Sequence, residues 1–482
     1  MALTTPTFLL FLSIIFAIYW LSKGVRTRNL ILLSGSYFFY ATWDSRFGVL
    51  LLITSLIDYG VGLGLARINH PTRRRMLLLV SLIANLGMLA FFKYFNFFSE
   101  NLVRLGGLIG WRFDPAIVRI ILPIGLSFYT FKSLSYTIDV YRRHYPATND
   151  AIAYLTYVAF FPQLLAGPID RANNLLRQLL SQRTFNYELA VDGSRQMLWG
   201  FVKKLVLADN LAPIVNLVYQ EAATRPGPHL FFATVCFAFQ IYCDFSAYSD
   251  IAIGGGKLLG ITSLQNFHYP YFSRSPAEFW RRWHISLMSW FRDYVYFPLG
   301  GIRGSAGRRV FNVILTFLLS GLWHGASWNF LVWGGLNGVA VTPGLFLKRK
   351  TESNDRVSFK TGAKICITFL FVCLMWVFFR AANLKQAVLI LSRIFTDALN
   401  LAAYRSLRSL LYPFPEYPLA GKWILIILFA FVLFEWIQRR RPHPLTLDTW
   451  PRAVRWLAYQ SLIFLMLYFG SYSISQFYYY QF

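Results

Sequence analysis

The sequence lacks any long polar segment that could fold as a domain of its own. It also lacks internal repeats and low-complexity linkers, which argues against a solenoid or a tethered array. Cysteine is scarce: Cys236, Cys243, Cys366 and Cys373 are the full set. Each pair is spaced i, i+7 inside an apolar segment, so both members fall on one helix face and read as small packing residues. That pattern supplies neither a disulfide framework nor a zinc site. No HxxE or HxxxH spacing surrounds the histidines discussed below, so no metal is expected. No Ser–His–Asp order or nucleophile elbow is visible either. No Lys or Arg precedes Lys23, and no small-residue cleavage site follows the first apolar run. The expectation is an uncleaved first span with its N-terminus outside.

What the chain does have is apolar length. Of its 482 residues, 56% are hydrophobic, and the mean hydropathy is +0.45. Soluble domains reach only about 45–50% on a broader count. Apolar stretches recur near the roughly 20 residues that cross a bilayer. The reading is an all-α polytopic membrane protein, one bundle over 1–482, with about ten to twelve spans. The net charge of +26 is distributed mostly between apolar runs. That is positive-inside patterning and not a nucleic-acid surface, so no nucleic acid is expected.

Taken in order, spans are expected over 7–21, 30–43, 47–65, 76–98 and 117–138, with basic clusters alternating sides. The segment 151–169 carries Pro162 and Pro168 and reads as a broken or re-entrant helix, tolerated only where it is buried in protein or lines a wet cavity. Residues 195–219, with Lys203 and Lys204, read as an amphipathic helix at the cytoplasmic interface. The span 230–260 carries Asp244 and Asp250, which are expensive at membrane depth. Two readings stay open for them: a structural ion pair or a wall of the site. Gly254, Gly255, Gly256 and Lys257 look like a phosphate loop, but Leu258 stands where Ser or Thr is needed. A close-packing or helix-end role fits better. Further on, 310–346 leaves and returns with its turn near His324. The stretch 363–379 exits, 381–421 is the longest loop, and 423–436 and 456–474 are the last spans.

Two stretches carry chemistry. In 275–296, Ser275, Pro276 and Glu278 announce a helix start. On the resulting helix Trp280, Trp283, His284, Leu287, Phe291 and Tyr294 fall on one broad face, and Arg281, Arg282, Ser289 and Arg292 lie largely opposite. Such a helix suits the membrane–water boundary. The second stretch is 320–329, a patch of small and polar residues between two apolar runs. His324 sits in it. Gly325 removes bulk, so that a substrate or backbone can come close. If the segment is helical, Ser320 and Ser327 share the face of His324, and either of them, or Asn329, is placed to orient the ring. A neutral imidazole titrating near working pH can take a proton from a hydroxyl and so activate it against an acyl carbonyl. The remaining histidines, His70, His144, His229, His268 and His443, fall in loops or near segment ends.

These residues carry a resemblance. Asn266-Phe267, Pro270-Tyr271-Phe272 and the run 279–287 containing Trp283-His284, followed by Ser320-Gly321-Leu322-Trp323-His324-Gly325, resemble the membrane-bound O-acyltransferase (MBOAT) family. The runs 135–142, 161–169 and 244–250 and the aromatic tail ending at Gln481-Phe482 resemble its bacterial branch for alginate O-acetylation. The resemblance runs from about residue 7 to the C-terminus. It implies an MBOAT-type bundle with re-entrant and interfacial helices and a central tunnel. The histidine-bearing core would span about 117–346, with C-terminal helices over 363–482. It also implies a multi-pass protein of the bacterial inner membrane that carries an acetyl group from a cytoplasmic donor to an extracellular polysaccharide such as alginate.

In that reading His324 is catalytic and His284 is the second functional position, nearer the cytoplasm. Trp323, Ser320, Ser327, Asn329, Asp244 and Asp250 are candidates for the tunnel. Arg281 and Arg282, with Arg303, Arg308 and Arg309, are candidates for donor phosphates. No cofactor is expected to stay bound; acetyl-CoA or another acyl thioester is the donor substrate. The expected partners are membrane lipid and either a periplasmic acetyltransferase or the polysaccharide itself. Cellulose, peptidoglycan and teichoic acid are alternative acceptors. The rivals are a secondary transporter, which also shows broken helices and buried carboxylates, and a scaffold whose histidines only pack.

Overall fold

The structure, a computed structural model, describes residues 1–110, 120–346, 358–411, 422–472 and 477. The basic run 348–350 and the tail residues 478–482 lie outside that set. Every element among the described residues is helical, with no strand. Four helices are long and apolar enough to cross a membrane: Ser45–Arg67, Pro71–Leu108, Gly227–Leu258 and Phe359–Arg380. Pro6–Leu21 is a shorter apolar helix. Other expected spans are present as shorter or less apolar helices, among them Val25–Ala41, Leu126–Tyr141, Ala306–His324, Lys422–Gln438 and Arg452–Phe469. The described chain forms two compact units, 1–191 with 255–264, and 192–254 with 265–482.

In the first unit the helix starts follow local chemistry. Thr5 accepts the Phe8 N–H ahead of Pro6, and Asp44 accepts the Arg46 N–H. Both occupy N-cap positions, where a side-chain oxygen satisfies a backbone donor that the helix cannot. The 151–169 segment is broken as expected. Asp150 caps a helix that runs only over Ala151–Ala159, and turns follow. Gln163 then fixes the irregular stretch. Its Oε1 accepts from Lys132 Nζ at 2.8 Å, and its Nε2 donates to Asp170 at 2.6 Å and to Ser263 at 2.6 Å. The chain after the glycine-rich helix end is clamped by Tyr19, whose hydroxyl donates to the Leu259 carbonyl, and by Trp20, which donates to that of Leu258. The glycine run is therefore a helix end and not a phosphate loop.

The second unit corrects two expectations. Residues 195–219 are not one interfacial amphipathic helix. The helix Tyr187–Val202 passes through a π-helical turn, Lys203–Ala208, into Asp209–Gln220. That turn points Lys203 and Lys204 inward, where they are 2% and 1% exposed. Nor is 381–421 simply a loop. Asn383 and Asn400 cap the helices Leu384–Thr396 and Leu401–Arg405, and 412–421 lie outside the described residues.

The turn expected near His324 is present. The helix Ala306–His324 ends there, Gly325 is extended, and Trp328–Val341 returns. The two helices approach through glycine. A Cβ on Gly321 would lie 2.2 Å from the Phe330 carbonyl oxygen, and one on Gly334 would lie 2.4 Å from that of Phe317. Only residues without a side chain allow backbones so close.

Candidate active site

The path to His284 begins at a helix start. Ser275 Oγ accepts the Glu278 N–H at 3.2 Å. The Glu278 carboxylate reaches back to the Arg274 N–H at 2.9 Å and pairs with Arg274 and Arg282. The resulting helix covers only Pro276–Arg282. The single helix expected over 275–296 does not exist. Trp283 is extended, and His284 takes a left-handed conformation with φ 46° and ψ 53° before Ile285–Phe291 begins. The shared face drawn through Trp280, His284 and Phe291 is therefore interrupted at the histidine.

A non-glycine residue there costs about 1–2 kcal/mol, so its surroundings must hold it. Asn266 does so. Its carbonyl accepts the Ile285 N–H at 2.9 Å, and its Oδ1 accepts the Ser286 hydroxyl at 2.6 Å and the Ser286 N–H at 3.3 Å. Asn266 Nδ2 in turn donates to Ser249 Oγ at 3.1 Å. The break swings His284 fully out of water, at 0% exposure. The Phe245 ring packs edge-on at 4.7 Å. Burial pushes the imidazole pKa down to about 3, so the ring is neutral at physiological pH.

His324 arrives from another direction, as the last residue of its helix, at 3% exposure. Its ring lies 5.0 Å from Trp323, 5.1 Å from Trp333 and 5.4 Å from Phe379, each nearly perpendicular or steeply tilted. The His284 ring completes the enclosure at 6.4 Å, and Trp323 stands 5.9 Å from His284. Trp280 and Trp376 form the next layer against Trp333 and are held by polar contacts, Trp280 Nε1 on Asn337 and Trp376 Nε1 on the Tyr271 hydroxyl. Two imidazoles thus sit in a nearly dry aromatic chamber, where a fixed dipole or proton acceptor acts more strongly than in water.

Ser320 is buried one helical turn before His324. Ser327 does not share the His324 face, because the helix stops at His324 and Ser327 precedes the next one. Asn329 does not orient the imidazole either; its Nδ2 donates to the Ala381 carbonyl at 2.8 Å. The space above Gly325 is filled by the Phe330 ring, which a Cβ would meet at 2.0 Å. The close approach foreseen there is therefore intramolecular.

Asp244 and Asp250 are ion-paired. Asp244 accepts from Lys204 at 2.7 Å, and Asp250 meets Lys203 at 2.6 Å and Gln196 at 2.8 Å. Arg281 is exposed, while Arg282 is engaged by Glu278 at 2.7 Å. Sequence reasoning gave no role to Asn266, Trp333 or Phe379. Asn266 heads the motif, but nothing in the sequence marks a left-handed residue so far downstream. Among the described residues no group of three His, Cys, Asp or Glu side chains is arranged to hold a metal.

Residues 122–386 match the family model "MBOAT, membrane-bound O-acyltransferase family". The chain is 41% identical over 381 residues to the "Probable alginate O-acetylase AlgI" of Pseudomonas aeruginosa, covering 78% of this chain and 71% of that protein. It is 40% identical over 381 residues to the protein of the same name from Azotobacter vinelandii, covering 78% and 74%. Against the peptidoglycan O-acetyltransferase of Helicobacter pylori it is 33% identical over 421 residues, covering 80% and 78%. With its two buried histidines, its apolar helices and these relatives, the chain belongs to the membrane-bound O-acyltransferase family, in the branch of the alginate O-acetylases, and is an acyltransferase.

Proposed function

We propose that the protein moves an acetyl group from a cytoplasmic thioester, acetyl-CoA or a carrier-bound equivalent, through a tunnel in the inner membrane to a polysaccharide hydroxyl outside, alginate first. The observation that carries this reading is the pairing of His284 and His324 in one aromatic enclosure. His324 acts as general base: it takes the proton of the acceptor hydroxyl as oxygen attacks the thioester carbonyl carbon. The C–O bond forms, the C–S bond breaks, and the proton passes to the departing thiolate. Neutral His284 orients the carbonyl or the acceptor by hydrogen bonding. The rings of Trp323, Trp333 and Phe379 exclude water, which would otherwise hydrolyse the thioester, and they favour a small acyl group.

The exposed Arg281, with Arg303, Arg308 and Arg309, attracts the donor phosphates from the cytoplasmic side; Arg282 contributes if its pair with Glu278 opens. The four described helices long and apolar enough to cross a membrane support a membrane-embedded path for the acyl group. The naming of relatives as alginate O-acetylases favours alginate, while the H. pylori relative makes peptidoglycan the second acceptor to test. The acceptor step runs either on the polymer itself or through a periplasmic acetyltransferase partner.

The test is the O-acetyl content of secreted polysaccharide in cells carrying wild type, His324→Ala or His284→Ala at equal membrane abundance. A fall of about 100-fold or more for His324→Ala is expected of a lost general base. Unchanged acetylation would remove His324 from the chemistry.

A further inference from the structure

In the first unit, far from either histidine in sequence, a carboxylate stands inside a candidate span. Asp58 lies in the helix Ser45–Arg67 and is 0% exposed. Two neighbouring helices each present an i, i+4 pair to it, the spacing that puts both side chains on one helix face. From Pro71–Leu108, Ser81 Oγ donates to Asp58 Oδ1, and Asn85 Nδ2 donates to Oδ2 at 2.8 Å. From Leu126–Tyr141, Ser133 and Thr137 bring their hydroxyls within reach of the same carboxylate. The Tyr154 and Tyr136 phenols complete the surroundings.

Three of these groups hold oxygen atoms with no hydrogen-bond partner: Asn85 Oδ1, Ser133 Oγ and Thr137 Oγ1. All three residues are at most 1% exposed. Asn85 spends its amide hydrogens on Asp58 and on the Ser81 carbonyl, which leaves its Oδ1 a buried acceptor lacking a donor. Unpartnered oxygen is costly in a dry interior and calls for a hydrogen or a cation. Among the described residues no Lys, Arg or His side chain pairs with Asp58. Neutral donors can satisfy its lone pairs but leave its charge uncompensated in a span, where isolated charge is strongly disfavoured.

We propose that Asp58, Ser81, Asn85, Ser133 and Thr137 form a site for a monovalent cation of the Na⁺ class, binding three helices of the first unit together. The donor set is all oxygen, which suits a hard ion and not a transition metal. It carries one negative charge, matching a single positive one; a divalent ion draws more carboxylates or water. The site is independent of acyl transfer, and its test does not read acyl transfer.

The test is thermal unfolding of the full chain in detergent or nanodiscs, with NaCl exchanged for N-methyl-D-glucamine chloride at constant ionic strength and pH. For a ligand that binds only the folded form, Na⁺ at about a hundred times its dissociation constant raises the melting temperature of a chain this size by about 3 °C. That increment should vanish in Asp58→Asn and shift to severalfold higher Na⁺ in Thr137→Val, which keeps the carboxylate should Asp58→Asn fail to fold. Three results would overturn the proposal: identical melting in both salts, an undiminished Na⁺ increment in Asp58→Asn or Thr137→Val, or stabilisation by acid alone, which would make Asp58 a protonated acid.

Discussion

The rings of His284 and His324 stand 6.4 Å apart and inclined by 56°, with Trp323 packed against both. Neither residue reaches this position by regular helix geometry. His284 is turned inward by a left-handed backbone, and His324 ends a helix whose partner is pressed against it through Gly321 and Gly334. The site therefore depends on residues that never touch a substrate.

Asn266 is the clearest of these positioning residues. Asn266→Ala deletes the acceptor for both Ser286 donors and leaves them buried, a cost of about 1–3 kcal/mol. We expect a drop of tenfold or more in polysaccharide acetylation at equal membrane abundance. Adding Asn266→Ala to His284→Ala should lower it no further, because the asparagine acts through the histidine. A purely structural role would instead give additive losses.

Phe379 closes the His324 side of the chamber at 5.4 Å and is 3% exposed. Phe379→Ala should cost about 3–5 kcal/mol of stability through the cavity it leaves. The same cavity should admit a longer acyl chain. In competition between acetyl and butyryl thioesters, the product ratio should move towards butyryl. An unchanged ratio would place the acyl group elsewhere.

Lys204 bridges Asp244 at 2.7 Å and Asp209 at 2.8 Å and is 1% exposed. Lys204→Met strands two buried carboxylates, a loss of about 3–5 kcal/mol. Restoring balance with Asp244→Asn in the same chain should recover part of the melting temperature. Two independent, additive losses would show that the pair is not coupled.

Glycines separate into those that pack and those that do not. Gly321→Ala drives a Cβ to 2.2 Å from the Phe330 carbonyl oxygen and should cost about 1–3 kcal/mol together with activity. Gly255→Ala meets nothing within 4 Å and lies in a helix, so it should stabilise by up to about 1 kcal/mol. Paired thermal melts of the two variants give opposite signs if the hairpin contact is as tight as it stands.

Acid should weaken the fold from two positions outside the spans. His284 resists protonation down to about pH 3, whereas an unfolded chain takes up that proton near 6.5. Its contribution is complete above about 6.5 and falls at about 1.4 kcal/mol per pH unit below it. Glu278, held below the usual glutamate range by Arg274 and Arg282 against the opposing effect of burial, acts in the same direction. Its contribution is present above the ordinary glutamate pKa and is lost as pH falls through the lowered one. His284→Phe should flatten the melting-temperature profile between pH 6.5 and 5. A profile as steep as wild type would show that the buried imidazole is not the source.

Much of this was legible in one dimension. The hydropathy pattern predicts a membrane protein, and four helices meet the length and composition for a span. The broken segment after Ala159 was announced by Pro162 and Pro168, and the turn at His324 by its small residues. The helix over 275–296 failed for a physical reason. Its apolar periodicity continues through Trp283 and His284, but periodicity reports which face is apolar and not whether the backbone stays helical. A distant asparagine decides that. The interfacial reading of Lys203 and Lys204 failed similarly, because a π-turn rotates both ammonium groups towards carboxylates on another helix.

Composition and short motifs read along the chain carry the membrane class, the residue types available for chemistry, and the family. Only the folded chain brings His284 and His324 into one enclosure, pairs Asp244 and Asp250 with lysines, and gathers polar groups from two other helices around Asp58. Each of these is a contact between residues on separate segments. Its energy comes from desolvation and geometry in three dimensions, which no local spacing encodes.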